Sequence, residues 1–332
     1  MTPPVPWYVA NLAASERIVL DHLRLTPLQV VLQTTSEWKG PAIKAMLLRS
    51  GLGYHLRAQE CLTGAAACEG CLRTSQCWYA TAFDSAGNVA SRSDALLHHG
   101  DARVSHPYYL ATAPLFEREL AAGSFLPCLL TVFGQPDPLL SKILSALKSA
   151  GRSARWGGGF RICRYASALT PDSSTTIQRQ PQIGLVGAMP RWKPNPTASL
   201  NAVRLRFLSP LRLRIAGTVE REPAFPEIVR ALLRRIHILA GLYSRVKLEQ
   251  GWAQSLVDLA RTAQVVHSQW TFVGETRRSG RQHRSIPIDG VLGELTVAGD
   301  LSRLWPFLDA GQWTGVGAST SHGLGCFILE LP

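Results

Sequence analysis

Apolar positions along this chain recur with two periods, and the changes of period mark its elements. Leu28 to Leu32 is a short apolar run of strand type. Pro41, a residue suited to the first helical position, then precedes Ala42, Ile43, Met46, Leu47 and Leu48 at helical spacing. Phe125 to Phe133 reads as a strand, Leu139 to Ala150 as a helix, and Phe160 to Tyr165 as a strand entered from Gly157, Gly158 and Gly159. From Thr170 to Ser199 the periodicity disappears, and Pro171, Pro181, Pro190, Pro194 and Pro196 mark a linker. The pattern then restarts. Val203 to Leu208 reads as a strand, and Phe225 to Tyr243 as a helix with Ile228, Leu232, Ile236 and Leu239 on one face. Strand candidates Thr271 to Thr276 and Val291 to Val297 follow, then a short helix from Leu301 to Leu308 and a closing strand from Cys326 to Leu331. Two consecutive strand-helix-strand halves predict an α+β chain of tandem ferredoxin-like domains, residues 1–170 and 200–332, joined by the linker 171–199.

Composition narrows the partners. Of 332 residues, 46% are apolar, enough to bury the cores of two domains, and 35 Lys and Arg against 23 Asp and Glu give a formal net charge of +12. That excess attracts polyanions, with nucleic acid first among them. The apolar run from Ile228 to Leu242 is interrupted by Arg230, Arg234, Arg235 and His237, so it does not supply the roughly 20 apolar residues of a bilayer span. Met1 to Ala10 lacks the basic and apolar regions of a secretory signal, and a soluble, cytoplasmic protein with no membrane partner is expected.

Seven cysteines in a reducing compartment do not suggest a disulfide framework, and an odd number cannot pair completely. Cys61, Cys68, Cys71 and Cys77 stand at C-x6-C-x2-C-x5-C, in which the tight pair can chelate and the outer two complete a tetrahedron. Structural Zn2+ is the expectation, with an iron–sulfur cluster or four unliganded thiols as the alternatives. A closed four-thiolate site leaves no position for water, so it would stabilise a loop rather than catalyse. Cys128, Cys163 and Cys326 fall in strands and read as small core residues. His98, His99 and His106 with Asp101 read as a polar loop rather than a metal site.

Gly315-Val316-Gly317, five residues, then Gly323-Leu324-Gly325 lead directly into the last strand. Glycines at that spacing adopt positive φ and let the backbone approach a ligand, exposing amides that can meet phosphate oxygens; the plain alternative is a flexible loop. A dinucleotide site is excluded because no helix follows. This signature resembles that of the CRISPR RNA-processing endoribonucleases of the RAMP superfamily. Other segments agree in order: Cys61 to Cys77 followed by Tyr79 and Phe83, His106-Pro107-Tyr108 before a strand, and Leu130 to Gly134. Arg277-Arg278-Ser279-Gly280-Arg281-Gln282 and Gly290-Val291-Leu292-Gly293 then resemble the family's Arg-x-Ser-x-Arg-Gln block and its glycines.

The resemblance spans roughly residues 28 to 332 and implies tandem ferredoxin-like (RAMP/RRM-like) domains with a cysteine-rich insertion in the first. It also implies recognition of a CRISPR repeat RNA stem-loop and cleavage without a catalytic metal that leaves a 2′,3′-cyclic phosphate; retention of the guide RNA product with CRISPR effector-complex subunits is a further expectation for partners. Relatives carry His and Lys flanking the first Val-Gly, where this chain has Gly315 and Ala318. A subunit that binds RNA without cutting it is therefore the second expectation.

Cleavage of this kind needs a base for the 2′-hydroxyl, an acid for the leaving oxygen and cations at the phosphorane. By resemblance the family places a histidine on or after the first helix, and His55 stands there, with Lys39 and Lys44 before and within that helix and His22 as the next candidate. The expected RNA surface is Arg277, Arg278, Ser279, Arg281, Gln282, His283 and Arg284, since Arg binds phosphate bidentately and stacks on bases. Arg230, Arg234 and Arg235 on the long helix extend it, and Gly315, Gly317, His322, Gly323 and Gly325 contribute the loop. Arg204, Arg206, Arg212 and Arg214 are expected on one strand face, and Arg152, Arg155 and Arg161 near the first glycines.

Overall fold

The computed structural model describes residues 11–65, 67–83, 105–112, 118–153, 155–169, 192–193, 201–279 and 284–331. Among these the chain starts with helix α1 (Ala14–His22). It divides into two compact units, one of residues 24–192 with 321–323, the other of residues 1–23, 193–320 and 324–332.

The first unit contains β1 (Leu25–Thr34), β2 (Trp38–Lys39), α2 (Ala45–Glu60), α3 (Trp78–Phe83), β3 (Tyr108–Thr112), β4 (Glu119–Leu120), β5 (Phe125–Phe133), α4 (Leu139–Arg152) and β6 (Phe160–Ser167). Its main sheet has the order β3-β5-β1-β6, every neighbour antiparallel. Alternation along β1 turns Leu28, Val30 and Leu32 into the core while Gln29 faces out. These side chains pack with Leu48, Leu52 and Leu56 of α2 and Leu140, Ile143 and Leu147 of α4, and burial of each stabilises by about 1.5–3 kcal/mol.

The second unit continues with β7 (Ala202–Phe207), β8 (Arg214–Ile215), β9 (Thr218–Val219), α5 (Phe225–Ser244), α6 (Gln254–Thr262), β10 (Gln264–Ser279), β11 (Arg284–Ala298), α7 (Trp305–Thr314) and β12 (Phe327–Glu330). Its sheet order is β10-β11-β7-β12, again antiparallel throughout. Numbered within each unit, both sheets read 2-3-1-4 with a helix after the first and third strands. Both are ferredoxin-like units, and the tandem α+β expectation holds.

Several boundaries differ from the sequence reading. Residues up to 23 belong with the second unit, not with 24–170. On α1, Val19 and Leu20 are buried, the Glu16 carboxylate accepts from Ser255 and Arg303, and Ser244 donates to the carbonyl of His22. The second helix begins at Ala45 rather than Pro41, because Ile43 and Lys44 first accept from Met46 and Leu47 in tight turns of 3.1 and 3.0 Å. It runs on through Gly51 and Gly53 to Glu60, so His55 lies inside it. Helix α7 lies at Trp305–Thr314 instead of Leu301–Leu308, with Pro306 in its first turn, where no amide is needed.

Strands β10 and β11 stay paired from Gln264↔Ala298 to Ser279↔Arg284, so the expected long basic loop is mostly ribbon. Strand β7 pairs only with Glu294–Ala298, and the hairpin's far end is two-stranded, which tolerates Pro287. No described helix is long and apolar enough to cross a membrane.

Candidate functional site

His55 sits half-buried on the middle of α2. Its Nε2 is buried and has no hydrogen-bond partner among the described residues. Burial first, and then the positive charges of Arg152 and Arg155, hold its pKa below the ordinary imidazole value. Tyr54 meets the ring edge-on at 5.1 Å between centroids, and the Arg155 guanidinium lies 4.9 Å over the Tyr54 ring and 5.8 Å from that of Trp156.

The segment carrying Arg155 is fixed by backbone. Trp38 Nε1 donates to the Trp156 carbonyl at 2.6 Å, and the Lys39 amide donates to the Gly157 carbonyl at 2.7 Å. Gly157 has φ +92°, and a Cβ there would lie 2.3 Å from the Lys39 carbonyl, so only glycine permits this approach. A neutral imidazole beside two arginines can accept a proton while the cations receive phosphate charge. Tyr54 and Trp156 escaped the sequence reading; the one signal for Trp156 is its place directly before three glycines, and Tyr54 stands beside His55.

The lysines divide. Lys39 is exposed and paired with Glu37 at 3.3 Å and Glu119 at 3.8 Å. Lys44 is fully buried, and its ammonium donates to the carbonyls of Pro41 at 3.1 Å and Arg118 at 2.6 Å. This corrects the catalytic expectation for Lys44, because no polyanion reaches a side chain so enclosed. His22 ends α1 and belongs to the other unit from His55. His106 is packed inside, with Nδ1 2.9 Å from the Ala82 carbonyl and Nε2 3.2 Å from Arg49. His98, His99 and Asp101 lie outside the described residues.

The terminal glycine loop has another use than the exposed-amide reading. Gly315, Gly317, Gly323 and Gly325 all have positive φ. The amides of Gly315, Val316, Ala318 and Gly325 donate to the carbonyls of Gly311, Gly325, Arg212 and Pro210. A Cβ on Gly325 would lie 1.8 Å from the Val316 carbonyl, one on Gly317 2.6 Å from that of Arg212, and one on Gly323 2.4 Å from Ala45 Cβ. The glycines serve close backbone packing, and these four amides are committed to the protein. His322 ends a single 3-10 turn with Nδ1 3.3 Å from Ser321 Oγ.

The arginines expected to bind RNA are spread over several settings. Arg277, Arg278 and Ser279 end β10 and Arg284 begins β11, so all four stand at the hairpin's far end; Arg281, Gln282 and His283 fall outside the described residues. On α5, Arg230 and Arg234 are exposed, whereas Arg235 Nε donates to the Thr314 carbonyl at 2.8 Å and thereby caps α7. Arg204 and Arg206 share the outer face of β7 and pair with Glu330. Arg212 is buried against Asp289 at 2.7 Å, and Arg214 lies on β8, so the expected four-arginine face is reduced to two. Arg161 donates to Gln33.

All four cysteines of the insertion border one cavity with Glu60 and Thr63. Among the described residues no three His, Cys, Asp or Glu side chains converge closely enough to hold an ion as they stand. Cys128 and Cys326 are buried as expected, and burial pushes the Cys128 thiol far up.

Comparison with known proteins adds to this geometry. Residues 205–327 match the family model of the CRISPR-associated endoribonuclease Cas6, and residues 23–183 match a model described as an N-terminal domain. The chain is similar to a Cas6 product complex (17% identity, 92% of this chain and 99% of that one, TM-score 0.54) and to Cas6 of Thermus thermophilus (14%, 93% and 99%, TM-score 0.50). It is also similar to a chain of a partial Cas6-RT-Cas1–Cas2 complex (12%, 93% and 46%, TM-score 0.54). No curated protein sequence matches. Both units thus have the fold that the resemblance implied, and the second is similar in sequence to the CRISPR-associated endoribonuclease Cas6 over residues 205–327.

Proposed function

We propose that this protein binds CRISPR repeat RNA and cuts the precursor transcript into guide RNAs without a catalytic metal. His55 removes the 2′-hydroxyl proton, the 2′-oxygen attacks the adjacent phosphorus, and the bond to the 5′-oxygen breaks as that oxygen takes a proton from water, giving a 2′,3′-cyclic phosphate. Arg152 and Arg155 balance charge on the phosphorane. The observation that supports this reading is the setting of His55, half-buried on α2 beside Tyr54, with its pKa lowered by burial and by Arg152 and Arg155. The far end of the β10–β11 hairpin, with Arg277, Arg278 and Arg284, supplies phosphate contacts to the stem of the repeat.

The test is single-turnover cleavage of repeat RNA by wild type and His55→Ala, with binding measured alongside. Loss of cutting with retained binding supports the reading, and unchanged cutting overturns it. A second reading, an RNA-binding subunit that retains the guide in an effector complex, is favoured by Gly315 and Ala318 at the positions where relatives carry His and Lys. Tight binding by wild type with no cleavage selects it.

A further inference from the structure

The segment between α2 and α3, residues 61–77, is ordered without a core. None of its described residues is buried, and Leu62 and Leu72 are 74% and 99% exposed. Its backbone hydrogen bonds are short-range: Cys71 to the Cys68 carbonyl at 3.1 Å, Thr74 to that of Cys71 at 3.2 Å, Gln76 to that of Arg73 at 3.1 Å. A loop of this length that hides no apolar surface has little to offset its ordering entropy, and a cross-link is the usual remedy.

The cysteines are where a cross-link would act. Cys61 caps the end of α2 and Cys77 stands one residue before α3, so the outer pair holds both ends of the segment. Cys68 and Cys71 span a turn with Gly70 at φ +73°. All four border the same cavity, and Thr63 Oγ1 lies 3.8 Å from the sulfurs of both Cys61 and Cys71. The cavity is also bordered by Arg73, and the Arg57 guanidinium donates to the Ala65 carbonyl, so two cations stand near a centre that would carry net negative charge.

We infer that Cys61, Cys68, Cys71 and Cys77 bind one zinc ion as four thiolates and that this ion closes the segment between α2 and α3. Binding releases four thiol protons to solvent, with no redox change, and draws the sulfurs together from their positions around the cavity. The ion is structural, since four protein ligands leave no site for water or RNA. It anchors α3, whose Tyr79 and Phe83 stack at 5.5 Å and pack against the first unit's core, to the helix that carries His55.

Metal analysis of full-length protein, expressed with zinc and dialysed free of loose metal, tests the inference separately from any RNA activity. About one zinc per chain is expected, falling at least tenfold in Cys68→Ser/Cys71→Ser and unchanged in Cys163→Ser. If the double variant does not fold, wild type refolded with Co2+ gives an independent reading: the thiolate-to-cobalt charge-transfer absorption of a tetrahedral sulfur site supports the inference. Iron with acid-labile sulfide, a disulfide within the segment, or four thiols titrating in a zinc-free wild-type chain would each overturn it.

Discussion

His55 lies on the helix that follows the first strand of the first ferredoxin-like unit, and His237 lies on the helix that follows the first strand of the second, yet the two rings are used in opposite ways. His237 accepts a hydrogen bond from Trp252 Nε1 at 2.9 Å on its Nδ1 and stacks on that indole, with centroids 6.4 Å apart. His55 keeps a buried nitrogen without a described partner and faces Arg152 and Arg155. The difference extends to the glycines that precede each last strand. In the first unit Gly157 lets the chain press against β2 and so fixes Arg155; in the second the amides of Gly315, Val316, Ala318 and Gly325 donate to protein carbonyls. One topology thus carries a histidine flanked by two arginines in one copy and a histidine committed to packing in the other.

The largest expected effect breaks the pair of histidines apart. His55→Ala should slow single-turnover cleavage by roughly 10²–10⁴-fold while RNA affinity stays within threefold. His237→Ala should leave cleavage nearly unchanged but destabilise the fold by about 1–3 kcal/mol, because the Trp252 N–H loses its acceptor. Equal cleavage rates in the two variants would contradict the comparison. The glycine segments sharpen it further. Gly157→Ala and Gly325→Ala should each destabilise by about 1–3 kcal/mol in thermal or urea unfolding. At temperatures where both are folded, only Gly157→Ala should also slow cleavage, since it displaces Trp156 and Arg155.

Smaller effects follow at the hairpin. Arg277→Ala with Arg278→Ala should weaken repeat-RNA binding about equally across stem sequences and flatten the dependence of log K on log salt by roughly 0.7–0.9 per lost phosphate contact. An unchanged salt slope would remove these residues from the interface. The smallest effect concerns pH. A base must be unprotonated, and burial with two arginines lowers the His55 pKa, so cleavage should fall only on acidification below the ordinary imidazole range. Arg152→Ala removes one lowering charge, the pKa rises, and the acid limb of the rate profile should move to higher pH. Movement to lower pH would refute the electrostatic account.

Elements whose burial is local were legible in the sequence. Strand β5 runs from Phe125 to Phe133 as its apolar run indicates, and α5 carries the stripe Ile228, Leu232, Ile236 and Leu239 into its core. Helix α1 was not legible, because its buried Glu16 cancels the amphipathic signal and its partners Ser255 and Arg303 lie 239 and 287 residues away. The same separation explains the candidate site. His55 was visible as a histidine near the first helix, but Trp156 and the two arginines join it and Tyr54 only when α4 and the glycine segment return to α2 about a hundred residues later. Lys44 showed the converse: nothing in its neighbours announces that Pro41 and Arg118 carbonyls bury it. The hairpin was underestimated because the basic stretch after Thr276 carries no apolar alternation, whereas the two strands stay paired as far as Ser279↔Arg284.

The most direct measurement is single-turnover cleavage of the cognate repeat RNA in EDTA, beside the same RNA with a 2′-deoxy substitution at the mapped cut site. The account predicts rapid cutting of the first to a 2′,3′-cyclic phosphate, none of the second, and wild-type affinity for both. Cleavage of the 2′-deoxy substrate would contradict it, as would cutting that requires an added divalent ion.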